Sequence, residues 1–434
     1  MSVTRPLRVS LTALGCKVNF AEMAELAGQL GAAGLDVVAD DEPADVRVLN
    51  SCTVTLQADA TTRQRLRRLR RDDPTAHLIL TGCSVDGNPD AYLDASGTAQ
   101  RARLGVDAVF ANADKPRIAE YIVEQLADAH AGGCAGLAQP APLRSRAFLK
   151  VQDGCDHRCT YCIVWRARGG YSRSLAPDQV LRRADAALAM GHRELVLTGV
   201  DLGSYGGEHG TTLASLLRAL LDRVGDARVR LSSVNANDVT PELAELNAHP
   251  RLCAHWHIPL QSAADGVLKR MHRGYRIAQF RAVVSRLRTA DPRTELTTDL
   301  MVAFPGESED DHRRTVDYVA EAGFLHCHVF RWSPRPDTPA AALDGRVDEA
   351  TARRRSAEVR RAAAHAGEAA RRRALGQVEE VIWERVEDGE ARGLGERWYS
   401  VAAAADPTVG HGELRRVRLD AVEADVLRAT LLDP

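Results

Sequence analysis

The stretch KVQDGCDHRCTYC, residues 150–162, places three cysteines within eight residues. Cys155, Cys159 and Cys162 form a C-x3-C-x2-C array directly after a strand-like run, AFLKVQDG. Zinc sites usually combine two short pairs into four ligands, and no fourth cysteine lies nearby in the sequence. Three thiolates on a short loop are typical of a [4Fe–4S] cluster with one iron open to a non-protein ligand. Structural or zinc-binding cysteines are the alternative.

A second set of cysteines recurs at the same place relative to three strands. Cys16, Cys52 and Cys83 end the β-rich runs RVSLTALGC, VRVLNSC and HLILTGC, and a helical pattern follows each of them. Strands that alternate with helices predict a parallel sheet, in which the carboxyl ends of all strands lie at one edge. We therefore expect the three thiols to converge there as a second cluster site with an open iron. Taken one at a time, each is an ordinary buried cysteine.

The remaining cysteines carry no such pattern. Cys134 lies in a Gly/Ala-rich connector, Cys253 precedes a predicted strand and Cys327 lies within one, so all three are interpreted as structural or incidental. Nine cysteines in 434 residues are too few for a disulfide scaffold.

Length and composition fit a globular protein of two or three domains. The chain has 434 residues, 45% of them apolar and 27% charged, and its formal net charge is −2. This overall charge does not by itself indicate nucleic acid or a membrane as partner. No apolar run is long enough to span a membrane, and the first residues lack a signal-peptide pattern. We therefore expect a cytoplasmic protein.

Strand and turn patterns divide the chain into four segments. Residues 1–140 predict an N-terminal parallel α/β domain. Residues 145–340 contain six strand-like runs alternating with helical patterns, which predicts a central partial (β/α)6 barrel with functional residues on the loops after its strands. A helical connector, 341–375, precedes short β runs at 376–434 that are typical of a small all-β barrel. The expected fold class is therefore α/β with a C-terminal β barrel.

Two helical stretches are rich in arginine. Residues 61–71 carry six Arg, and residues 353–373 carry eight Arg against two Glu. Such faces are most often simply solvated, and contact with RNA phosphate is the less common alternative.

Motifs along nearly the whole chain resemble the radical S-adenosylmethionine (SAM) methylthiotransferase family. LGCKVN (14–19), NSCTVT (50–55) and TGC (81–83) resemble its amino-terminal domain. The cysteine loop, HIPLQSAADGVLKRMHRGY and TTDLMVAFPGESEDD resemble its radical SAM core, and the terminal β module resembles its TRAM domain. LTGVDLGSYG and FRWSPRPDTPAA are most similar to the branch that acts on N6-threonylcarbamoyladenosine beside the tRNA anticodon.

This resemblance implies a transferase that replaces an inert C–H bond by C–SCH3, with two [4Fe–4S] clusters and SAM as cofactors. It assigns the SAM-cleaving cluster to Cys155, Cys159 and Cys162, and an auxiliary, sulfur-binding cluster to Cys16, Cys52 and Cys83. The implied substrate is C2 of N6-threonylcarbamoyladenosine in tRNA, with a flavodoxin or ferredoxin as electron donor. No catalytic residue beyond the cluster ligands is implied. Five further positions match the family's SAM site: Tyr161, Arg168, Gly169, Thr198 and Gly199. For the last four of these, ordinary turn chemistry is the alternative.

Two features depart from the family pattern. Asn235 and Ala236 follow Val234, where the family has an acidic residue and then proline. Residues 376–434 contain seven Arg, no Lys and 13 Asp and Glu, whereas an RNA-binding module should be basic. One alternative is therefore the same chemistry on a side chain of a ribosomal protein or a natural-product peptide. An alternative of another class is a noncatalytic iron–sulfur protein that binds RNA.

Overall fold

The structure is a computed structural model that describes residues 5–93, 104–127, 145–405 and 409–432. Cys134 lies outside the described residues. The chain divides into two compact units: unit 1 is the described part of Met1–Leu143 with Gly154–Asp156 and Cys162–Tyr171, and unit 2 is the described part of Arg144–Asp153, His157–Tyr161 and Ser172–Pro434. Among the described residues, no helix has the length and apolar character that crossing a membrane requires. The limits predicted for the four sequence segments stay predictions.

Unit 1 is built on a five-stranded parallel sheet. Its elements are β1 Arg8–Ala13, α1 Lys17–Ala32, β2 Asp36–Val38, β3 Val46–Ser51, α2 Leu56–Asp72, β4 His77–Gly82, α3 Cys83–Gly87, β5 Ala108–Phe110, α4 Ile118–Ile122 and α5 Val164–Ala167. The strand order is β2-β1-β3-β4-β5, and every pair is parallel. The central strand β3 is buried along its whole length, as expected for a parallel sheet covered on both faces. The predicted N-terminal parallel α/β fold is confirmed.

The first part of unit 2 contains six further parallel strands. Its elements are β6 Ala147–Lys150, β7 Gln152–Asp153, β8 Arg173–Ser174, α6 Pro177–Ala189, β9 Glu194–Thr198, α7 Leu213–Leu221, β10 Arg228–Leu231, α8 Pro241–Glu245, β11 His255–His257, α9 Asp265–Arg270, α10 Ile277–Ala290, β12 Glu295–Val302, α11 Glu309–Ala322 and β13 His326–Arg331. The parallel sheets run β10-β9-β6 and β11-β12-β13, and single bridges Val229–Leu252 and Ser233–His257 connect them. The predicted six-stranded partial barrel is confirmed.

Local sequence signals and one apolar core hold these elements in place. Ser308 begins α11 by accepting a hydrogen bond from the main-chain N–H of Asp311, and Gly323 ends it with a φ of +62°. Between strands and helices lies a continuous core of aliphatic and aromatic side chains that includes Trp256 and Phe280. The strand ends are thereby fixed on a rigid scaffold.

The last part of unit 2 is a long helix followed by a closed barrel. Its elements are α12 Glu349–Arg373, β14 Val378–Glu387, β15 Glu390–Gly395, β16 Ser400–Ala404, β17 Leu414–Glu423 and β18 Val426–Leu431. The barrel closes in the order β14-β15-β16-β18-β17, and Val381, Trp383, Val417 and Leu419 fill its interior. The predicted small all-β barrel is confirmed, and the arginine-rich segment before it is helical.

A buried ion cluster joins this barrel to β9 and β10. The carboxylate of Glu194 accepts hydrogen bonds from Nε of Arg228 and Nε of Arg230, both at 2.7 Å. Burial opposes ionisation, but Arg230 and Arg228 outweigh it and hold the pKa of Glu194 well below its usual range. The same guanidinium groups also donate to four main-chain carbonyls of the barrel, those of Glu380, Leu394, Gly395 and Glu396.

Candidate active site

Three thiols lie at the carboxyl edge of the sheet in unit 1. Cys16 follows β1 and directly precedes α1, Cys52 follows β3, and Cys83 follows β4 and begins α3. The register pairs Ser51 with Gly82, so β3 and β4 end at the same level. The topology thus brings cysteines from three separate stretches to one edge, as the sequence pattern predicts.

The chain before Cys16 approaches Cys52 closely. Gly15 has a φ of +85°, and a β-carbon built on it would lie 2.4 Å from Cys52 Sγ, so glycine is required here by both backbone conformation and space. Burial, reinforced by the neighbouring Cys16 and Cys83 thiols, raises the pKa of the Cys52 thiol to about 11. The turn that carries Cys16 and the residue Cys52 therefore lie side by side at this edge.

The chemistry of this donor set fits an iron–sulfur cluster. None of the eight described cysteines forms a disulfide, so the three thiols are available as ligands. Three soft thiolate donors match a [4Fe–4S] cluster that leaves one iron for an exogenous ligand. Ligation would also replace the proton that burial otherwise retains on the Cys52 thiol.

Polar groups surround the thiol of Cys83. Arg168, the residue after α5, donates from Nε to Cys83 Sγ at 3.0 Å and from Nη2 to Asn19 Oδ1 at 2.8 Å. Its Nη1 pairs with the carboxylate of Glu22, and Nδ2 of Asn112 lies 3.8 Å from Cys83 Sγ. Within unit 1, Arg168 is therefore a neighbour of the N-terminal thiols, and its expected role in binding SAM stays a prediction. The same holds for Gly169, which follows it with a φ of +88°.

The second cysteine triad lies on a loop without helix or strand, residues 154–163. Cys155 and Cys162 belong to unit 1, and Cys159 belongs to unit 2. Cys159 is buried, and its Sγ accepts a hydrogen bond from Nη1 of Arg273 at 3.4 Å. Thr160 fixes the next peptide by main-chain hydrogen bonds with Met271 and Ala340. The three-thiol spacing fits a [4Fe–4S] cluster with an open iron, and joint ligation by these cysteines stays a prediction.

The remaining predicted SAM positions lie in unit 2. The ring of Tyr161 meets Phe304 edge to face, with 6.4 Å between ring centroids. Thr198 is the last residue of β9 and is buried, and Gly199 follows it at the carboxyl edge. A β-carbon at Gly199 would lie 2.7 Å from Gln152 Oε1 and 3.0 Å from Gln152 Cβ, so these two segments approach each other closely.

A charged cluster next to the cysteine loop was not foreseen from the sequence. His157 Nε2 lies 3.2 Å from Asp201 Oδ2 and 3.6 Å from Asp238 Oδ2. The carboxylates of Asp201 and then Asp238 raise the pKa of His157 to about 10, which favours the charged imidazole. Asp201 follows β9, at the sheet edge where the topology rule places functional side chains. The same rule, applied to the residues that follow β9, could have identified Asp201 from the sequence.

Asn235 connects this cluster to the cysteine loop. Its Nδ2 donates to Asp201 Oδ1 at 2.9 Å, and its Oδ1 accepts from Nη2 of Arg273 at 2.7 Å. Arg273 in turn donates to Cys159. A carboxylate at this position could accept from Arg273 but could not donate to Asp201. Asparagine at position 235 can therefore donate a hydrogen bond to the carboxylate of Asp201, which an acidic residue at this position could not do.

Two family models match the chain. Residues 149–319 match the Radical SAM superfamily, and residues 8–101 match the Uncharacterized protein family UPF0004. The threonylcarbamoyladenosine tRNA methylthiotransferase MtaB of Thermotoga maritima is 37% identical over 87% of this chain and 86% of its own length. MtaB of Chlamydia pneumoniae is 33% identical over 96% of both chains. A tRNA-2-methylthio-N(6)-dimethylallyladenosine synthase of Parafrankia sp. is 34% identical over 87% of this chain and 77% of its own.

A solved structure shares the fold. The radical S-adenosylmethionine methyltransferase TsrM from Kitasatospora setae, bound to tryptophan and a SAM analog, matches with a TM-score of 0.57. It is 13% identical and covers 77% of this chain and 75% of its own, so this likeness concerns the fold alone. The MtaB relatives also show family membership, because their identity to this chain exceeds 30% over most of both chains. By these relatives, the chain belongs to the radical SAM methylthiotransferases, a family of transferase enzymes.

Proposed function

We propose that this chain methylthiolates tRNA at C2 of N6-threonylcarbamoyladenosine, beside the anticodon. The observation that carries the proposal is the meeting of Cys16, Cys52 and Cys83 at one sheet edge, in a chain that is 37% identical to MtaB of Thermotoga maritima. A second thiol triad gives an RNA-binding scaffold no benefit, whereas sulfur transfer requires a place to hold sulfur. The MtaB of Chlamydia pneumoniae also matches end to end, which favours threonylcarbamoyladenosine over dimethylallyladenosine.

In this proposal, Cys155, Cys159 and Cys162 hold the cluster that binds SAM. The auxiliary cluster is held by the three thiols of unit 1. When bound, the clusters and SAM supply the reductive cleavage of SAM, hydrogen abstraction from the substrate and the methylated sulfur. The residues of the chain position these groups and exclude water.

Two contacts within unit 2 position the cysteine loop. His157 binds the carboxylates of Asp201 and Asp238, so the middle of the loop is held at the carboxyl edge of β9. Arg273 donates to Cys159 and limits the directions its sulfur can take. Precise placement matters here, because a radical reaction depends on bringing the reacting atoms together in the correct orientation.

Arginine clusters would bind the phosphates of the tRNA. One cleft of unit 2 is lined by four arginines and three acids, and three arginines are exposed on α2 of unit 1. The cleft residues are Arg193, Arg251, Arg415 and Arg416 with Asp226, Glu380 and Glu413, and the exposed residues of α2 are Arg67, Arg68 and Arg71. Such contacts give affinity without reading sequence. We assign the reaction to the cytoplasm and electron delivery to a flavodoxin or ferredoxin.

Comparison of tRNA nucleosides by mass spectrometry tests this function. A strain without the gene should lack the methylthio derivative of threonylcarbamoyladenosine and accumulate the unmodified nucleoside. The wild-type gene should restore the product and Cys52→Ala should not. Cys327→Ala, which changes a buried cysteine outside both triads, should restore it as well as wild type does. Unchanged methylthio nucleosides in the deletion strain would refute a tRNA substrate and point to a protein or peptide.

A further inference from the structure

The buried guanidinium of Arg168 has no part in the chemistry assigned so far. Arg168 is 2% exposed, and its Nε points at Cys83 Sγ from 3.0 Å. Its other nitrogens are held by Asn19 Oδ1 at 2.8 Å and by the Glu22 carboxylate. These partners fix both the place and the direction of the N–H group that faces the sulfur.

Two acids and a second cation lie around the guanidinium of Arg168. Lys115, whose side chain is 10% exposed, pairs with the same Glu22 carboxylate as Arg168 does. One carboxylate therefore faces two cations. A further acid, Asp86, accepts from Nδ2 of Asn112 at 2.9 Å, and burial raises its pKa. The guanidinium of Arg168 directly contacts the Cys83 sulfur, and a buried environment screens its charge less than water does.

We infer that Arg168 is a positioning residue of the auxiliary cluster that offsets the charge of its thiolates and raises its reduction potential. The inference rests on the proposed ligation by Cys16, Cys52 and Cys83. An oxidised [4Fe–4S] core with three thiolates carries net negative charge, and the electron gained on reduction adds to it. A fixed cation beside a ligand sulfur therefore stabilises the reduced form more than the oxidised form. Hydrogen bonds to the sulfurs and net charge are among the factors that set such potentials.

An EPR-monitored redox titration with dithionite as reductant tests this inference. In the full-length chain, replacing Cys155, Cys159 and Cys162 by alanine leaves the auxiliary cluster as the one observed. In that background, Arg168→Met should lower the equilibrium constant for reduction at least tenfold, which is about 59 mV for a one-electron couple. Arg168→Lys keeps the charge without the planar donor geometry and should give an intermediate value.

A matched variant controls for the loss of an arginine as such. Arg166 is exposed on α5, two residues before Arg168, and lies over the Trp165 ring. Arg166→Met removes the same charge from a solvated position, where screening is strong. Its effect on the equilibrium constant should stay below about twofold.

Glu22→Gln tests the sign of the shift in reduction potential. It removes the negative partner of Arg168 and keeps an acceptor oxygen, so the equilibrium constant for reduction should rise. Opposite shifts for Arg168→Met and Glu22→Gln support the inference, whereas unchanged potentials or shifts of the same sign overturn it. If the Arg168→Met variant binds no cluster, the reduction potentials of Arg168→Lys and Glu22→Gln take its place. Opposite shifts of these two potentials support the inference, and unchanged potentials or shifts of the same sign overturn it. Absence of a cluster in the parent background refutes the ligation by Cys16, Cys52 and Cys83, a failure distinct from unchanged potentials.

Discussion

Replacing Glu194 by glutamine should loosen the attachment of the barrel in unit 2. The Glu194 carboxylate is 0% exposed and accepts from Arg228 Nε and Arg230 Nε at 2.7 Å and from Arg230 Nη2 at 3.1 Å. Glutamine keeps the shape of the Glu194 side chain, but it removes the negative charge that balances the buried guanidinium groups of Arg228 and Arg230. Breaking a buried ion pair in this way costs about 3–5 kcal/mol. At roughly 2–4 °C per kcal/mol for a large domain, the melting temperature should fall by roughly 6–20 °C.

Urea and thermal unfolding followed by tryptophan fluorescence measure this loss. The Trp398 ring stacks on His255 and lies 5.1 Å from Arg230 Cζ, so a reporter is close to the change. Glu368→Gln is the control, because the Glu368 and Arg372 side chains are 49% and 66% exposed and pair at 2.7 Å. An exposed pair contributes about 0–1 kcal/mol. A loss below about 1 kcal/mol for Glu194→Gln would show that water or other groups neutralise the two arginines.

The same substitution predicts a pH dependence. Because the arginines lower the pKa of Glu194 in the folded state, the stability it contributes is present above the unfolded carboxyl pKa of about 4.3. It is lost progressively as the pH falls from there toward the folded pKa. The advantage of the wild type over Glu194→Gln should therefore hold from pH 7 to about pH 5 and decline below it. An advantage that stays constant down to about pH 3 would contradict the charge argument.

Three further outcomes are expected. Reconstituted protein should contain two [4Fe–4S] clusters by iron and sulfide analysis, and a single cluster or zinc would contradict the cysteine assignment. Cys155→Ala should abolish formation of 5′-deoxyadenosine, whereas Cys52→Ala should retain it and stop methylthiolation, both measured by mass spectrometry. Ser308→Ala should cost about 1 kcal/mol in urea unfolding, because its side chain satisfies an N–H in the first turn of α11. A Ser308→Ala chain as stable as wild type would rule out that contribution.

The sequence predicted the placement of Cys16, Cys52 and Cys83 because strand ends obey a topological rule. Each cysteine occupies the same position relative to its strand, and right-handed crossovers bring such positions to one edge. The six parallel strands of unit 2 and its closed barrel were predictable for a similar reason, since periodicity and turns are local signals. These conclusions needed only the order of the elements, the turns between them and the position of each cysteine relative to its strand.

The side-chain partners within the site were not predictable in this way. Arg168 and Cys83 are 85 positions apart, and their contact depends on side-chain direction, which periodicity does not encode. The binding of His157 to Asp201 depends on the same kind of long-range meeting. Asn235 was recognised as a departure, but its role follows only from its two neighbours, one acceptor and one donor.

The acid excess of residues 376–434 was a poor guide to the barrel surface. Glu379 is buried and pairs with Arg397, and Glu396 is buried and lies 2.9 Å from Arg293. These acids are therefore engaged inside unit 2 and do not face a partner. A sum of formal charges counts them equally with exposed groups, so it does not describe the charge that the barrel surface presents.

The closure of the barrel limits how it can recognise anything. Because each of the strands β14 to β18 pairs with two neighbours, the described part of the barrel has no open edge along which a peptide or nucleotide chain could add itself as a sixth strand. Recognition is then left to outward side chains such as Arg416 on β17. Substrate preference in this module can consequently change by single substitutions while its backbone framework stays the same.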